Sequence, residues 1–139
     1  MFLQKLAYIA NGWNLLINEH RLIYETAQAW DNGPVYFALW RHVKDWGYGG
    51  DHYMLTKPFG GEPIKADLLP EEKDVIDHVW KRYGKYNAAT LSKMTHQPGT
   101  PWAKAYLERG RNAELYDRDI VDHFKQLALA GRKREAGVA

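Results

Sequence analysis

Apolar residues recur at steps of three and four through most of this 139-residue chain, and glycine or proline stands at the ends of the periodic segments. That is the period of an α-helix, in which residues three and four apart share a face. Phe2 to Asn18 is the clearest case. Leu3, Leu6, Ala10, Trp13 and Ile17 line one face, with Phe2, Ile9 and Leu16 on its flank. A stripe that wide suits a helix buried on more than one side. From Glu19 to Asn32 the period is lost, and a turn with a short extended piece is expected. Pro34 is then expected to open a helix, because its missing N–H costs nothing at a first helical position. Val35, Leu39, Val43 and Trp46 form the stripe of that helix, and Gly47 ends it.

Residues 49 to 69 hold Pro58, Gly60, Gly61 and Pro63, which interrupt structure rather than propagate it. An irregular loop or a short β-hairpin is expected there. Pro70 starts the next helix, with Glu71 and Glu72 in its first turn, where carboxylates complement the positive helix end. Val75, Ile76, Val79, Trp80 and Tyr83 make its apolar face, and Gly84 closes it. Asn87 caps a short helix carrying Leu91 and Met94. Thr100 caps another that has Pro101 as its first residue and Gly110 at its end. Asp117 opens the last, faced by Ile120, Val121, Phe124 and Leu127 and ended by Gly131. The sum is a mainly α fold: a single compact domain of about six helices over residues 1–131, followed by a basic, disordered tail over 132–139.

Composition narrows the function. The chain has no cysteine, so disulfides, thiol nucleophiles and thiolate metal sites are absent. Its six histidines fall in no zinc signature, and no metal or cofactor is expected. No apolar run reaches the ~20 residues a membrane span needs, and the N-terminus lacks a signal layout. A soluble, cytosolic chain is expected, with no membrane partner. The net charge of +2 equals that of Arg132 to Glu135 alone, which leaves sixteen basic and sixteen acidic residues elsewhere. That balance argues against a nucleic-acid partner, which needs basic surface to neutralise phosphates. Six tryptophans and nine tyrosines can fill a helical core or furnish a binding surface.

Little here suits catalysis. Ser92 is the only serine and sits in no nucleophile-elbow context. The glycine pairs at 49–50 and 60–61 lack the lysine of a phosphate-binding loop and read as turns. Thr95-His96 is the most chemical pair, since a histidine beside a hydroxyl can act as a general base. It also lies where a helix–loop–helix turn is expected, where both side chains would bond to helix ends.

Three blocks occur in order. The first is Leu3-Gln4-Lys5-Leu6-Ala7-Tyr8 with Asn11-Gly12-Trp13. The second is Ala29-Trp30-Asp31-Asn32-Gly33-Pro34-Val35, followed by Tyr36, Leu39, Trp40 and Val43. The third is Tyr83-Gly84, Leu91-Ser92, Thr95-His96 and Pro101-Trp102. Together they resemble the Panacea-domain antitoxin family, the SocA/GepA-like and phage-associated group, over roughly Leu3 to Phe124. Family members usually carry a further N-terminal stretch before the first block, where this chain begins almost at it. The resemblance implies a non-enzymatic antitoxin that binds and neutralises a cognate toxin protein. In some members it implies an adaptor that delivers the toxin to an ATP-dependent protease of the ClpXP type. The partner-binding residues it implies are Gln4, Lys5, Trp13, Trp30, Asp31, Gly33, Pro34, Thr95, His96 and Trp102. Of these, Trp13 and Trp102 suit the core, Trp30 suits core or surface equally, and the polar Gln4, Lys5 and Asp31 are the better contacts. Two other classes stay open: a nucleic-acid-binding regulator of prophage or toxin–antitoxin genes, and a hydrolase centred on His96.

Overall fold

A computed structural model describes residues 2–46 and 68–135. The expected loop or hairpin between residues 49 and 69 falls almost wholly outside them, as does the end of the expected tail, residues 136–139. Six helices are described: α1 (Phe2–Asn18), α2 (Phe37–Trp46), α3 (Pro70–Tyr83), α4 (Ala88–Thr95), α5 (Pro101–Arg109) and α6 (Asp117–Glu135). Between α1 and α2 lies a small antiparallel hairpin, β1 (Gln28–Trp30) and β2 (Gly33–Val35). The protein is therefore mainly helical, as its periodicity implies.

Local signals set several helix ends. Asn87 accepts a hydrogen bond from the Thr90 backbone N–H at 2.8 Å, and Thr100 does the same for Ala103 at 3.2 Å. Each satisfies an N–H that has no partner within its helix. At α3, the Glu72 carboxylate accepts from the Leu69 N–H at 2.9 Å and reaches His20 Nε2 at 2.9 Å. This ties the start of α3 to the loop after α1.

Three local readings are overturned. Pro34 does not open a helix; it lies in β2 opposite Ala29, and α2 begins at Phe37. Proline is tolerated there because Ala29 directs its hydrogen bonds to the other side. Its N–H donates to the Ala113 carbonyl at 2.7 Å, and its carbonyl accepts from Asn112 at 2.7 Å. β1 is thus flanked by β2 and by the segment through Ala113 to Leu115. Gly131 does not stop α6, which continues to Glu135. Glycine inside a helix costs only about 1 kcal/mol, and good helix formers follow it. Trp80 is 60% exposed, although its spacing puts it beside the apolar face of α3.

α1 is the centre of the packing. It meets α3, α4 and α6 and also covers β2. Tyr8, Ile9, Leu15, Val75, Val79, Leu91, Ile120 and Phe124 form the core around it. Phe124 of α6 packs edge-on against Trp13 and Tyr8, with ring centroids 5.1 and 6.2 Å away. Gly12 makes room for that ring, since a Cβ there would lie inside it. Two buried asparagines of α1 hold the loop that follows. Asn11 Oδ1 accepts from the backbone N–H groups of Leu22 and Ile23, and Asn14 Nδ2 donates to the His20 carbonyl.

Candidate functional site

The expected partner-binding residues separate into two groups around the hairpin, with Trp13 apart from both. Trp13 is part of the interior: its ring packs on Phe124 and its indole N–H donates to the Tyr83 hydroxyl at 3.3 Å.

The first group is a buried clasp. Gln4 is 5% exposed, and its amide makes two bonds to the Tyr36 backbone, donating to the carbonyl at 3.1 Å and accepting from the N–H at 3.0 Å. A side-chain amide thereby replaces the neighbouring strand that β2 lacks on this edge. One position on, Lys5 is wholly buried and its ammonium donates to the Asn32 carbonyl at 2.6 Å. The same carbonyl accepts from Ser92 Oγ of α4 at 3.1 Å. Gly33 has φ +123°, and the place of its missing Cβ is taken by the Lys5 ammonium. Pro34 is fully buried beside it. Thr95 is buried as well, with its hydroxyl bonded back to the Leu91 carbonyl at 3.0 Å. The polar atoms of Gln4, Lys5 and Thr95 are therefore directed inward: Gln4 and Lys5 of α1, with Ser92 of α4, fix the hairpin, and Thr95 bonds back into its own helix.

Burial lowers the Lys5 ammonium to about 8, still protonated at neutral pH. In the unfolded chain an ordinary lysine titrates near 10.4. Between these values the unfolded state binds the extra proton, so folding stability rises as pH rises from about 8 to about 10. The gain should be on the order of 3 kcal/mol, because each tenfold difference in proton affinity between the two states is worth about 1.4 kcal/mol. Above pH 10 the trend reverses. Burial raises the pKa of both Tyr8 and Tyr36, so the unfolded tyrosines lose protons first. Urea unfolding of the wild type at pH 7, 9, 10 and 11 should trace this maximum, and Lys5→Met should remove the rising limb. A rising limb that survives the substitution would assign it to another group.

The second group is an exposed ledge. The half-buried Trp30 indole contacts Trp40 edge-on at 5.2 Å and Phe37 at 6.3 Å. Its backbone carbonyl accepts from Trp102 Nε1 at 2.6 Å. Trp102 stacks on Tyr106 at 4.8 Å and meets His96 edge-on at 5.3 Å. The Tyr106 hydroxyl donates to Asp31 at 2.9 Å, and Arg111 grips the same carboxylate through Nε at 2.8 Å and Nη2 at 2.6 Å. Arg111 and then Tyr106 hold the Asp31 carboxyl below the usual carboxylate range. A groove of about 360 Å³ opens between Trp30, Asp31, Trp40, Arg111 and Asn112. Arg111 stands on a tight turn whose neighbours Gly110 and Asn112 both have left-handed φ, and the Asn112 N–H is bonded to β1. The blocks of sequence brought Trp30, Asp31, His96 and Trp102 to attention but not Arg111, which is 80 residues from its partner in the chain. Only the chain fold brings the two together.

His96 caps α4 and has Ser92 Oγ 3.3 Å from its Nδ1. The Ser92 hydroxyl also faces the Asn32 carbonyl, and no carboxylate among the described residues orients the imidazole. No group of three or more metal-ligating side chains occurs among the described residues, and no described helix is long and apolar enough to cross a membrane.

Comparison with known proteins adds two findings. A family model described as "Antitoxin SocA-like, Panacea domain" matches residues 3–103. Antitoxin SocA of Caulobacter vibrioides (strain NA1000 / CB15N) is 28% identical over 139 residues, covering 88% of this chain and 70% of that protein. No solved structure matches. The matched stretch contains the whole clasp and most of the ledge, whereas Tyr106 and Arg111 lie beyond its end.

Proposed function

The chain belongs to the SocA-like Panacea-domain antitoxin family, and from that premise we propose that it binds a cognate protein toxin through the ledge around Trp30 and Trp102 and so neutralises it in the cytoplasm. The observation that carries this reading is the division of the family-block residues. Gln4, Lys5, Gly33, Pro34 and Thr95 are buried in and around the hairpin, while Trp30, Asp31, His96 and Trp102 reach the surface together. Surface aromatics and an arginine around a groove have the composition of interface hot spots. The buried clasp acts as the support: it holds the hairpin rigid, so less side-chain freedom is lost on binding.

The test begins with the product of the neighbouring gene. That product should be toxic when expressed alone and harmless when this chain is co-expressed. Trp30→Ala should weaken binding of the purified pair at least about tenfold, the loss of a typical hot spot. Leu107→Ala, at a position 78% exposed and outside the ledge, should leave binding unchanged. Equal binding by the two variants, both with wild-type circular dichroism, would move the interface elsewhere.

An adaptor role is a further part of this proposal. Holding toxin and a ClpXP-type protease at once needs two surfaces, and it raises the local concentration of toxin at the protease. Trp80, outside the ledge, is the largest exposed aromatic on α3. Faster toxin degradation by purified ClpXP when this chain is added, lost in Trp80→Ala while toxin binding persists, would support delivery. Unchanged degradation would leave direct neutralisation.

A further inference from the structure

We propose that the ledge recognises a toxin segment in which an apolar side chain stands next to a carboxylate, the apolar group entering the groove beside Trp30 and the carboxylate meeting the outer edge of Arg111. This rests on the ledge being the toxin-binding surface and adds the chemistry of what it takes.

Donors and acceptors are unequally used at this groove. Asp31 has both carboxylate oxygens engaged: Oδ1 accepts from the Tyr106 hydroxyl and Arg111 Nε, and Oδ2 accepts from Arg111 Nη2. Arg111 has five N–H donors and uses two of them on Asp31. The guanidinium also lies against the Tyr106 hydroxyl, and donors remain on its outer edge, since the side chain is 66% exposed. Most of the acceptor capacity at the polar end of the groove is therefore taken up, while the outer edge of Arg111 still has donors to give. A planar fork with free donors pairs best with a carboxylate, which can accept two of them at once. Asp31 and Tyr106 fix the plane of the fork, and the Gly110–Asn112 turn fixes its base. The other wall is the Trp30 indole, which offers an apolar face at the same opening. The two features select jointly: a carboxylate alone leaves the indole wet, and an apolar group alone leaves the outer donors of Arg111 to water.

The probe is a pair of blocked peptides, acetyl-Ala-Phe-Asp-Ala-amide and its acetyl-Ala-Phe-Asn-Ala-amide counterpart. Binding is read from the NMR shift of the Trp30 indole N–H in the full chain. The acidic peptide should bind about tenfold more tightly than the amide, the scale of one charge-assisted contact. Arg111→Gln should erase that preference, so that the two peptides shift the Trp30 indole at equal concentrations. Arg111→Lys should keep only part of it, since the charge is retained and the fork is lost. Raising the salt concentration should shrink the preference.

Equal binding of both peptides, or a preference that persists in Arg111→Gln, overturns the carboxylate assignment while leaving the ledge as the interface. If neither peptide moves the Trp30 indole, this proposal fails outright. The ledge reading itself fails only if Trp30→Ala leaves toxin binding intact.

Discussion

Gly33→Ala should destabilise the protein by about 4 kcal/mol, with two causes that add. The backbone at Gly33 has φ +123°, a region that side-chain-bearing residues rarely enter, and holding one there costs about 1–3 kcal/mol. The new methyl would also occupy the space of the buried Lys5 ammonium, which bonds the Asn32 carbonyl one residue away. Displacing that ammonium strands a charge in the interior, a cost beyond ordinary overpacking of about 1–3 kcal/mol. Gly99→Ala is the control. Gly99 also has a left-handed φ, +84°, yet its added Cβ would meet nothing within 4 Å. It should lose only the backbone contribution, about 1 kcal/mol. Chemical unfolding of the two variants at pH 7 measures the difference. A Gly33→Ala cost no greater than that of Gly99→Ala would mean that the clasp does not constrain the hairpin as described.

Gly12→Val should cost about 3–5 kcal/mol, against what its local position suggests. On helix propensity alone, replacing a mid-helix glycine stabilises or is neutral. Here the first added carbon would overlap the Phe124 ring, which is only 2% exposed and enclosed by Tyr8 and Trp13. α1 and α6 would have to separate, which opens the core along the length of their contact. A double-mutant cycle isolates the cause. Phe124→Ala alone should cost about 3–5 kcal/mol through the cavity it leaves. The double variant should be better than the sum of the singles by about 2 kcal/mol, because the valine then fills part of the vacated space. Simple additivity of the two would show that Gly12 does not matter through Phe124.

Both glycines lie in the sequence blocks that resemble the family, and the structure gives each a packing reason. The same holds for Gln4 and Lys5. In a string of letters they read as unexplained polar positions, the kind a partner would use. Both are in fact buried, with their polar atoms bonded to the backbone of the hairpin some thirty residues on. Nothing near them in the chain announces that: Gln4 and Lys5 occupy ordinary helical positions, and the backbone groups they satisfy belong to a strand edge that exists only once the chain has folded. A polar side chain on a helix signals exposure or a buried partner equally well, and the sequence carries no mark of which.

What the sequence determined by itself was local. It determined where the helices are, because a 3.6-residue apolar period and the capping chemistry of Asn87, Thr100, Pro70 and Pro101 act within a turn or two of the chain. It also determined the absence of thiol chemistry, because that depends on inventory alone. The tertiary structure decided what depends on distant partners. It put Pro34 in a strand, because Ala29 finds its hydrogen bonds at residues 112 and 113 and leaves that edge free for proline. It left Trp80 exposed, because no element among the described residues covers that side of α3. It also joined Arg111 to Asp31 across 80 residues to finish the ledge. Periodicity records which face of a helix is apolar, whereas the assignment of a polar group to its partner is a property of the packed whole.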